Sequence, residues 1–339
     1  MTIRELAKIA KVSPASVSIV LNNKNGVSEK TRARVLKIAE ENDYSINFRK
    51  NKKKIQDVLL LKFLGSGMLV EENQSFISTI IDAIGNELSQ HNYRLTVYIE
   101  NNSMEEVLKK VVFDNFCSVI IIGTEIPREW YKMFYKIPVP YVVVDNPVSG
   151  INCRSITMDN YSNVYLALEY LKEQGHKQIG YLRSSMTNEN LDERTEAYRK
   201  WAKFLHFDVV DEAEFLLKPT LVGAYEDMCK HLEKAPKLPT CMYADNDTIA
   251  LGVIKALKEH GYKIPDDVSI VAMDDIPFSS ISSPTLTTVR VQKEKIGQIA
   301  VLQLLESANN PAYQNIKIRI TGELIVRSSV INLQENNAP

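Results

Sequence analysis

The spacing of apolar residues changes near residue 55 of this chain. Before that point, three short segments carry apolar residues three or four positions apart, which is helical spacing. After it, short continuous apolar runs alternate with longer amphipathic segments. Alternating strands and helices are typical of a parallel sheet covered by helices. The pattern therefore predicts a small all-α module followed by a larger α/β domain.

Each of the three predicted helices in the first part has its own start signal. Thr2 and Glu5 form a capping box, Ser13 precedes Pro14 at a first helical position, and Ser28 caps the third helix. The outward face of the second helix carries small side chains. Two short helices at a tight turn, followed by a third, form a helix-turn-helix whose second helix can enter the major groove of DNA. The alternative is a three-helix bundle with a purely structural role.

The second part is long enough for two α/β units. Its clearest helices are residues 76–90 and 246–260. Its clearest strands are residues 58–64, 94–99, 118–123, 141–145, 178–182, 240–244 and 268–273.

Charge is distributed unevenly along the 339 residues, although the formal net charge is only -1. Residues 1–54 contain 13 Lys or Arg against 5 Asp or Glu, whereas the remainder contains 28 against 37. Five of the six residues from 49 to 54 are basic. A basic module on an acidic body favours a nucleic-acid partner, because neutralising phosphates releases counterions. A solvated basic face is the alternative.

Other features narrow the class of protein. No apolar run is long enough to cross a membrane and no signal-peptide pattern follows Met1, so a cytoplasmic protein without a membrane partner is expected. The four cysteines are scattered without a C-x-x-C pair, which favours neither a metal site nor disulfides. G-x-G-x-x-G, P-loop, H-E-x-x-H and G-x-S-x-G motifs are absent. We therefore expect no cofactor, no catalytic residues and no enzymatic activity.

The stretch TIRELAKIAKVSPASVSIVLNNKNGVSEKTRARVLKIAEENDY, residues 2–44, resembles the headpiece of the lactose-repressor (LacI/GalR) family of bacterial transcription regulators, without gaps. The resemblance implies phosphate contacts from polar headpiece side chains, with Pro14 and Ala15 at the positions that discriminate between operators. Family members usually carry Arg at the position of Ile19. An apolar Ile would favour a thymine methyl group or no base contact. The candidate DNA-binding residues are Thr2, Ser13, Pro14, Ala15, Ser18, Ile19, Asn22, Ser28, Thr31, Asn47, Arg49 and Lys53.

The segment after the headpiece departs from the family. In the family it forms a hinge helix that orders on DNA and inserts a Leu into the minor groove. Here Lys50, Asn51 and Lys53 replace the expected Ala, Arg and Leu. We expect this hinge to be disordered off DNA, because like charges one helical turn apart repel each other. Operator affinity should then depend more on phosphate contacts, and so on salt. A flexible linker with no other role is the alternative.

A second stretch, YADNDTIALGVIKALKEHGYKIPDDVSIVAMDDIPFSSISSPTLTTVR, residues 243–290, is similar to the effector domain of the same family. The resemblance, now covering essentially the whole chain, implies that Asp145, Arg194, Asn246 and Asp274 line an inter-domain cleft with Phe76 at its mouth. These polar groups follow strands, where open α/β sheets bind ligands, and they suit a sugar. Each aspartate alone could instead be a turn or helix cap. Ala197 replaces the usual Gly after the matched Arg, which leaves the ligand open.

Together these observations predict an all-α helix-turn-helix headpiece and an α/β periplasmic-binding-protein-like effector domain of two doubly wound parallel-sheet subdomains. The expected ranges are 1–46 for the headpiece, 47–55 for the hinge linker, about 56–158 and 290–318 for the first subdomain, and about 159–289 and 319–333 for the second.

The predicted function is repression of carbohydrate-utilisation genes. A homodimer would bind a pseudo-palindromic double-stranded operator and be released by a small sugar effector. The alternative is a corepressor-type regulator tightened on DNA by a purine or a phosphoprotein. A free sugar-binding protein of the same fold would have no use for the headpiece.

Overall fold

The computed structural model describes residues 2–21, 26–42, 56–65, 75–101, 103–310 and 315–334. The chain divides into two compact units, Met1–Ile55 and Gln56–Pro339. The first is helical and the second contains two largely parallel sheets, which confirms the predicted fold class. None of the helices in the described ranges has both the length and the apolar character needed to cross a membrane.

The first unit contains α1 (Ile3–Ala10), α2 (Pro14–Leu21) and α3 (Glu29–Glu41). The helix starts are those predicted from the sequence. The Thr2 hydroxyl accepts a bond from the Glu5 amide while the Glu5 carboxylate accepts one from the Thr2 amide. The hydroxyls of Ser13 and Ser28 accept bonds from the amides three residues later. Each side chain satisfies an amide that has no partner within its helix.

A small core holds these helices together. Leu6, Val17, Val20 and Val35 are completely buried in it, with Ala7, Ala10, Leu21 and Ala39. The α1–α2 turn is tight because Lys11 adopts a left-handed conformation with φ 50° and ends α1. These contacts arrange α1 and α2 as the predicted helix-turn-helix.

The second unit contains twelve strands and seven α-helices within the described ranges. The strands are β1 (Gln56–Phe63), β2 (Tyr93–Glu100), β3 (Ser118–Ile122), β4 (Tyr141–Val144), β5 (Ser155–Met158), β6 (Gln178–Ser184), β7 (Asp208–Leu217), β8 (Cys241–Ala244), β9 (Ser269–Asp274), β10 (Thr287–Arg290), β11 (Lys317–Ile320) and β12 (Glu323–Ile325). The helices are α4 (Phe76–Gln90), α5 (Met104–Lys110), α6 (Asn160–Glu173), α7 (Glu189–Phe204), α8 (Leu221–Leu232), α9 (Asp247–Glu259) and α10 (Lys293–Asn309).

The strands form two six-stranded sheets. The first has the order β11-β5-β4-β3-β1-β2 and is parallel throughout. The second has the order β12-β10-β9-β8-β6-β7 and is parallel except for β12. In the first sheet β1 lies between β2 and β3, and in the second β6 lies between β7 and β8. The order of strands therefore reverses at β1 and at β6. Such a reversal is the topological switch point where open α/β sheets bind ligands.

Apolar residues cover both faces of each sheet. Along β1, Val58 and Leu60 pack on one face while Leu59 and Leu61 pack on the other, and all four are completely buried. Helices α4 and α10 cross on one face at Gly297, where a Cβ atom would lie 2.7 Å from the carbonyl oxygen of Ile80. This close crossing requires glycine.

The chain passes between the two sheets three times. The crossings lie between Met158 and Asn160, between Arg290 and Lys293, and between Ile320 and Glu323. The boundaries expected from the sequence were about 158, 290 and 318. Strand β11 stays paired with β5 as far as Ile320, which places the third crossing two residues later. The two subdomains are therefore joined by three short connections beside one cleft.

Candidate functional site

The headpiece residues predicted to contact DNA lie at or near helix starts. Thr2, Ser13, Pro14, Ala15 and Ser28 are exposed, whereas Ser18, Ile19 and Thr31 are half-buried. Three of these residues, Thr2, Ser13 and Ser28, cap helices, and a helix start offers amide groups and a positive dipole end to a phosphate. The described part of α2 has no charged side chain, so sequence discrimination by this helix would depend on small and apolar contacts.

Four predicted DNA contacts, Asn22, Asn47, Arg49 and Lys53, lie outside the described residues, as does the hinge linker. They remain predictions. Ile19 is described, and its Cδ1 atom lies 3.7 Å from the position that a Cβ of Gly26 would occupy. Its side chain therefore packs partly on the turn that precedes α3.

In the second unit, one cleft brings together the five predicted effector-binding residues. The cleft is narrow, with about 30 Å³ of free space between its walls. Its lining is formed by Phe76, Thr124, Asp145, Met158, Asn188, Asn190, Leu191, Arg194, Asn246 and Asp274. Asp145 and Phe76 belong to the first subdomain and Arg194, Asn246 and Asp274 to the second, so the cleft is shared between them.

Two of the aspartates are held in uncommon backbone conformations. Asp145 follows β4 with φ 61°, and Asp274 ends β9 with φ 115°. A residue other than glycine avoids positive φ, so the surrounding structure must impose this geometry. Such residues are concentrated at ligand sites, where an otherwise unfavourable conformation directs a side chain. Both carboxylates are almost completely buried.

Arg194 of α7 is held by several groups of the cleft wall. Its Nε donates to the Asn160 side-chain oxygen at 3.0 Å, and its terminal nitrogens donate to the Asp245 carbonyl and the Asp274 carboxylate. A further contact of 3.0 Å reaches the Met158 sulfur. A buried guanidinium needs such partners, because an unpaired buried charge is costly. Arg194 therefore fixes Asp274 in the cleft wall.

Asp145 is surrounded differently. Its Oδ2 accepts a bond of 2.6 Å from the Thr124 hydroxyl, and its Oδ1 accepts one of 3.2 Å from the Asn190 amide. Asn190 also donates to the Asp145 backbone carbonyl at 3.0 Å, across the cleft. Both partners are neutral. Within the described part of the chain, the Asp145 carboxylate forms no ion pair.

Asn246 and Asp247 begin α9. The Asn246 side-chain oxygen caps the helix by accepting a bond from the Ile249 amide, so the capping role considered from the sequence is present alongside its place in the cleft lining. Asp247 points away from the cleft lining and accepts bonds from the Ile276 amide and the Ser279 hydroxyl. It ties the segment after β9 to the start of α9.

Sequence reasoning missed five lining residues: Thr124, Met158, Asn188, Asn190 and Leu191. Thr124 comes shortly after β3, so the rule that ligands bind at strand ends could have found it. Asn188 and Asn190 lie at the start of α7, and neither follows a strand directly. Asn188 caps α7 and donates to the Thr124 carbonyl at 3.0 Å, which brings this helix start to the opposite wall.

A larger outer chamber of about 320 Å³ adjoins the cleft at Asn188. Its acidic lining residues are Glu125, Glu129, Glu189 and Asp192. Its one arginine, Arg128, donates to Glu189 at 2.6 Å, and Glu189 also accepts a bond from the Ser149 amide. This ion pair joins the two subdomains at the edge of the cleft. Among the described residues, no three His, Cys, Asp or Glu side chains converge as a metal site.

Burial shifts the ionisation of Asp145, which lines the cleft, and of two other buried aspartates, Asp245 and Asp247. Desolvation raises the pKa of Asp145 and of Asp247 to about 7, and that of Asp245 to about 6. Hydrogen bonds, and for Asp145 and Asp245 also the charge of Arg194, act in the opposite direction but do not cancel the effect. For His176, burial lowers the pKa to about 4. These aspartates therefore hold their protons more tightly in the folded chain than in the unfolded chain.

These shifts predict that the second unit loses stability as pH rises through neutrality. When the pKa of an aspartate is higher in the folded state than in the unfolded state, the free energy of unfolding begins to fall once the pH exceeds the unfolded-state pKa. The loss is complete once the pH exceeds the folded-state pKa. His176 opposes this only below about pH 6.5. We expect the melting temperature to fall by several degrees between about pH 6.5 and pH 8, at roughly 2–4 °C per kcal/mol.

Tryptophan fluorescence during heating measures this, since Trp130 and Trp201 both lie in the second unit. Asp145→Asn should make the melting temperature less dependent on pH, whereas Asp114→Asn, at an exposed position, should leave the dependence unchanged. A melting temperature that rises over this interval in the wild type would contradict the expectation.

Comparison with known proteins gives the following matches. The model of bacterial regulatory proteins of the lacI family matches residues 2–47, and the periplasmic binding protein-like domain matches residues 168–330. The HTH-type transcriptional repressor PurR of Actinobacillus pleuropneumoniae serotype 3 (strain JL03) is 29% identical over 340 residues, covering 98% of this chain and 99% of the relative.

Two solved structures share the fold over nearly the whole chain. The lac repressor dimer bound to operator and the anti-inducer ONPF superposes with a TM-score of 0.73 at 23% identity, covering 98% of this chain and 99% of that one. The complex of the transcriptional regulator CelR with cellobiose gives a TM-score of 0.71 at 21% identity, covering 97% and 99%. These likenesses concern the fold.

Proposed function

This chain belongs to the lacI family of bacterial regulatory proteins, and on that premise we propose that it is a transcriptional repressor whose operator affinity is set by a small molecule in the inter-subdomain cleft. The family and the relatives are regulatory, which confirms the prediction of a regulator and not an enzyme. The observation that carries the effector part is the convergence of Asp145, Arg194, Asn246 and Asp274 on one cleft.

The headpiece would bind DNA through helix starts and the small outward side chains of α2. We assign the contacts to the described residues Thr2, Ser13, Pro14, Ala15, Ser18, Ile19, Ser28 and Thr31, together with Asn22, Asn47, Arg49 and Lys53. The positive charge of residues 1–54 supports this assignment, because phosphate contacts provide most of the affinity that does not depend on sequence. Ala15 and Ile19 would provide apolar contacts such as those made to thymine methyl groups.

A small sugar is the effector that the cleft chemistry favours. Carboxylates accept bonds from vicinal hydroxyls, amide and guanidinium groups donate to sugar oxygens, and the Phe76 ring can cover an apolar sugar face. The solved CelR complex contains cellobiose in a protein of the same fold. The cleft lies between two subdomains joined by three connections, so a ligand that contacts both walls would stabilise one relative placement of the subdomains.

A corepressor is the second candidate. The relative with 29% identity over nearly the full chain is named as the repressor PurR, which favours a purine that tightens operator binding. The Phe76 ring and the Asn246 amide would suit a flat, neutral heterocycle as well as a sugar. The two candidates differ in the sign of the response on DNA.

We propose a homodimer, which places two headpieces on one operator. Two exposed apolar surfaces of the second unit support a second copy of this chain as the partner. One is a groove of about 490 Å³, which we call the α8–α9 groove; its apolar lining residues are Leu221, Leu251, Ile254, Phe278 and Ile281, and its polar ones are Lys255, Lys258, Glu259, Ser282 and Ser283. The other is the edge strand β2, with exposed Val97, Tyr98 and Ile99. Exposed apolar patches and unpaired strand edges are typical of covered interfaces.

The proposal is tested by selecting bound duplexes from a random pool with the full chain, then measuring operator affinity with galactosides, glucosides and purines. We expect an inverted repeat bound at least about 10³-fold more tightly than random duplex. A sugar should weaken operator binding by about 5- to 150-fold, the usual range of allosteric coupling. A purine that strengthens binding would instead support the corepressor.

Absence of any preference for an inverted repeat, with every metabolite added, would contradict the DNA-binding proposal. A preference that no sugar or purine changes would leave the DNA-binding assignment and remove the effector assignment. The selection should be repeated at two salt concentrations, because phosphate contacts make both affinity and apparent specificity depend on salt.

A further inference from the structure

The cleft contains more buried carboxylates than cations. Four aspartates lie in or directly behind its wall, namely Asp145, Asp245, Asp247 and Asp274. The buried cations in the same region are Arg194 and Lys293. Without a ligand, this region has an excess of groups that become negative on ionisation.

Neither cation bonds the Asp145 carboxylate directly, although the charge of Arg194 lowers the pKa of Asp145 from a distance. The guanidinium of Arg194 pairs with Asp274, at 3.2 Å, and its other bonds go to neutral groups. Lys293 donates from its Nζ to the carbonyl oxygens of Asp274 and Asp275 and lies 5.5 Å from the centre of the Phe76 ring. Both side chains are therefore committed to the wall formed by the second subdomain and its connection.

The Asp145 carboxylate has acceptor capacity that the described residues do not fill. A carboxylate can accept about four hydrogen bonds. Thr124 and Asn190 provide one each, and both are neutral. Desolvation is the largest cause that raises the pKa of this group to about 7, and neither its two neutral hydrogen-bond donors nor the more distant Arg194 charge cancels it. A cationic donor would relieve both deficits at once.

The outer chamber has the same character. Four carboxylates line it, and its arginine is already paired with Glu189. The negative potential of such a chamber attracts cations and repels anions. Phosphorylated or carboxylated ligands would therefore meet unfavourable charge both next to the cleft and beside Asp145.

We propose that the effector carries a protonated amine, as an amino sugar does, and that its ammonium group binds the Asp145 carboxylate. This inference rests on the proposed function and names the ligand class for the same cleft. The Phe76 ring would cover the apolar face of the ligand, and Asn246 and Asp274 would bind its hydroxyl groups. A neutral sugar would fit the same contacts but would leave the Asp145 carboxylate without a cation bonded to it.

Calorimetry on the full chain near pH 7 tests this with matched sugars. The probes are D-glucosamine with D-glucose, and D-galactosamine with D-galactose, which differ by one amine in place of a hydroxyl. N-acetylglucosamine controls for the nitrogen without its charge, and D-glucose 6-phosphate provides the anion. We expect at least one amino sugar to bind about 10-fold or more tightly than its neutral parent, a difference equivalent to one pKa unit for Asp145. N-acetylglucosamine should lose this advantage, and the phosphate should not bind.

The variant Asp145→Asn keeps the shape of the side chain and removes its charge. In it, the amino sugar and its neutral parent should bind with equal affinity, and tryptophan fluorescence on heating verifies that the variant is folded. An equal affinity of the pair in the wild type, or an amine preference that persists in Asp145→Asn, would overturn the inference. Neutral hexoses that bind without amine preference would overturn the inference alone. Failure of every hexose would overturn both this inference and the sugar effector.

Discussion

Replacing Arg194 with methionine is expected to destabilise the second unit by about 3–5 kcal/mol, the usual cost of removing one partner from a buried ion pair. Methionine fills a similar volume but cannot donate to Asn160, to the Asp245 carbonyl or to Asp274. Asp274 would then be a buried carboxylate beside three other buried aspartates. Urea unfolding followed by tryptophan fluorescence reports this unit, since both tryptophans lie in it.

The matched control is Arg94→Met. Arg94 likewise pairs with one aspartate, through two bonds of 2.6 and 2.7 Å to Asp57, but its side chain is 66% exposed. An exposed pair contributes little, so the loss should be about 1 kcal/mol or less. Similar losses for the two variants would show that Arg194 is not a structural centre of the cleft. Since the wild type is the reference for both, each variant should be measured at the same pH.

The second large effect is expected at the α8–α9 groove, where Ile281→Asp should convert the proposed dimer to monomers. Ile281 is 74% exposed in the single chain, together with exposed Phe278 and Leu221. In a two-fold interface the substitution appears twice, and a carboxylate forced into an apolar contact loses its hydration. The two lysines of the groove, Lys255 and Lys258, already bond Glu259 and the Ser283 carbonyl. We expect the dimer dissociation constant to rise by about 100-fold or more, equivalent to about 2.8 kcal/mol.

Sedimentation velocity across a concentration series measures this, and operator affinity should fall in parallel because two linked headpieces bind more tightly than one. Val326→Asp is the control, since Val326 is also exposed, at 55%, but does not line the groove. A dimer that persists in Ile281→Asp and dissociates in Val326→Asp would show that the interface does not include the groove.

The sequence patterns that depend on local physics predicted the structure well. Helix caps at Thr2, Ser13 and Ser28 have the bonds that were inferred from residue type and spacing. Long buried strands such as β1 were visible because both of their faces are apolar. Strands β5, β10, β11 and β12 were missed because polar residues interrupt each of them, whereas the equally short β4 and β8 are continuously apolar. The edge strand β7 was also missed, because its exposed positions interrupt the apolar run.

The cleft could be predicted in part. Asp145 and Asp274 were visible because each ends a strand, and parallel strands end at a common edge. The bridging role of Asn188 and Asn190 was not visible, because it depends on where the start of α7 lies relative to the first subdomain. Pairing between Arg194 and Asp274 joins residues 80 positions apart and depends on the tertiary fold. Sequence spacing alone contains no information about such contacts.

The third crossing also has a consequence for synthesis. The first sheet gains its edge strand β11 only when residues 317–320 have left the ribosome, long after β5 has emerged at residues 155–158. Helix α10, which packs on α4, is equally late. A nascent chain must therefore keep apolar surface of its first subdomain uncovered while the second is translated, a state prone to aggregation. A premature stop codon after residue 290 would leave both halves of the second unit incomplete.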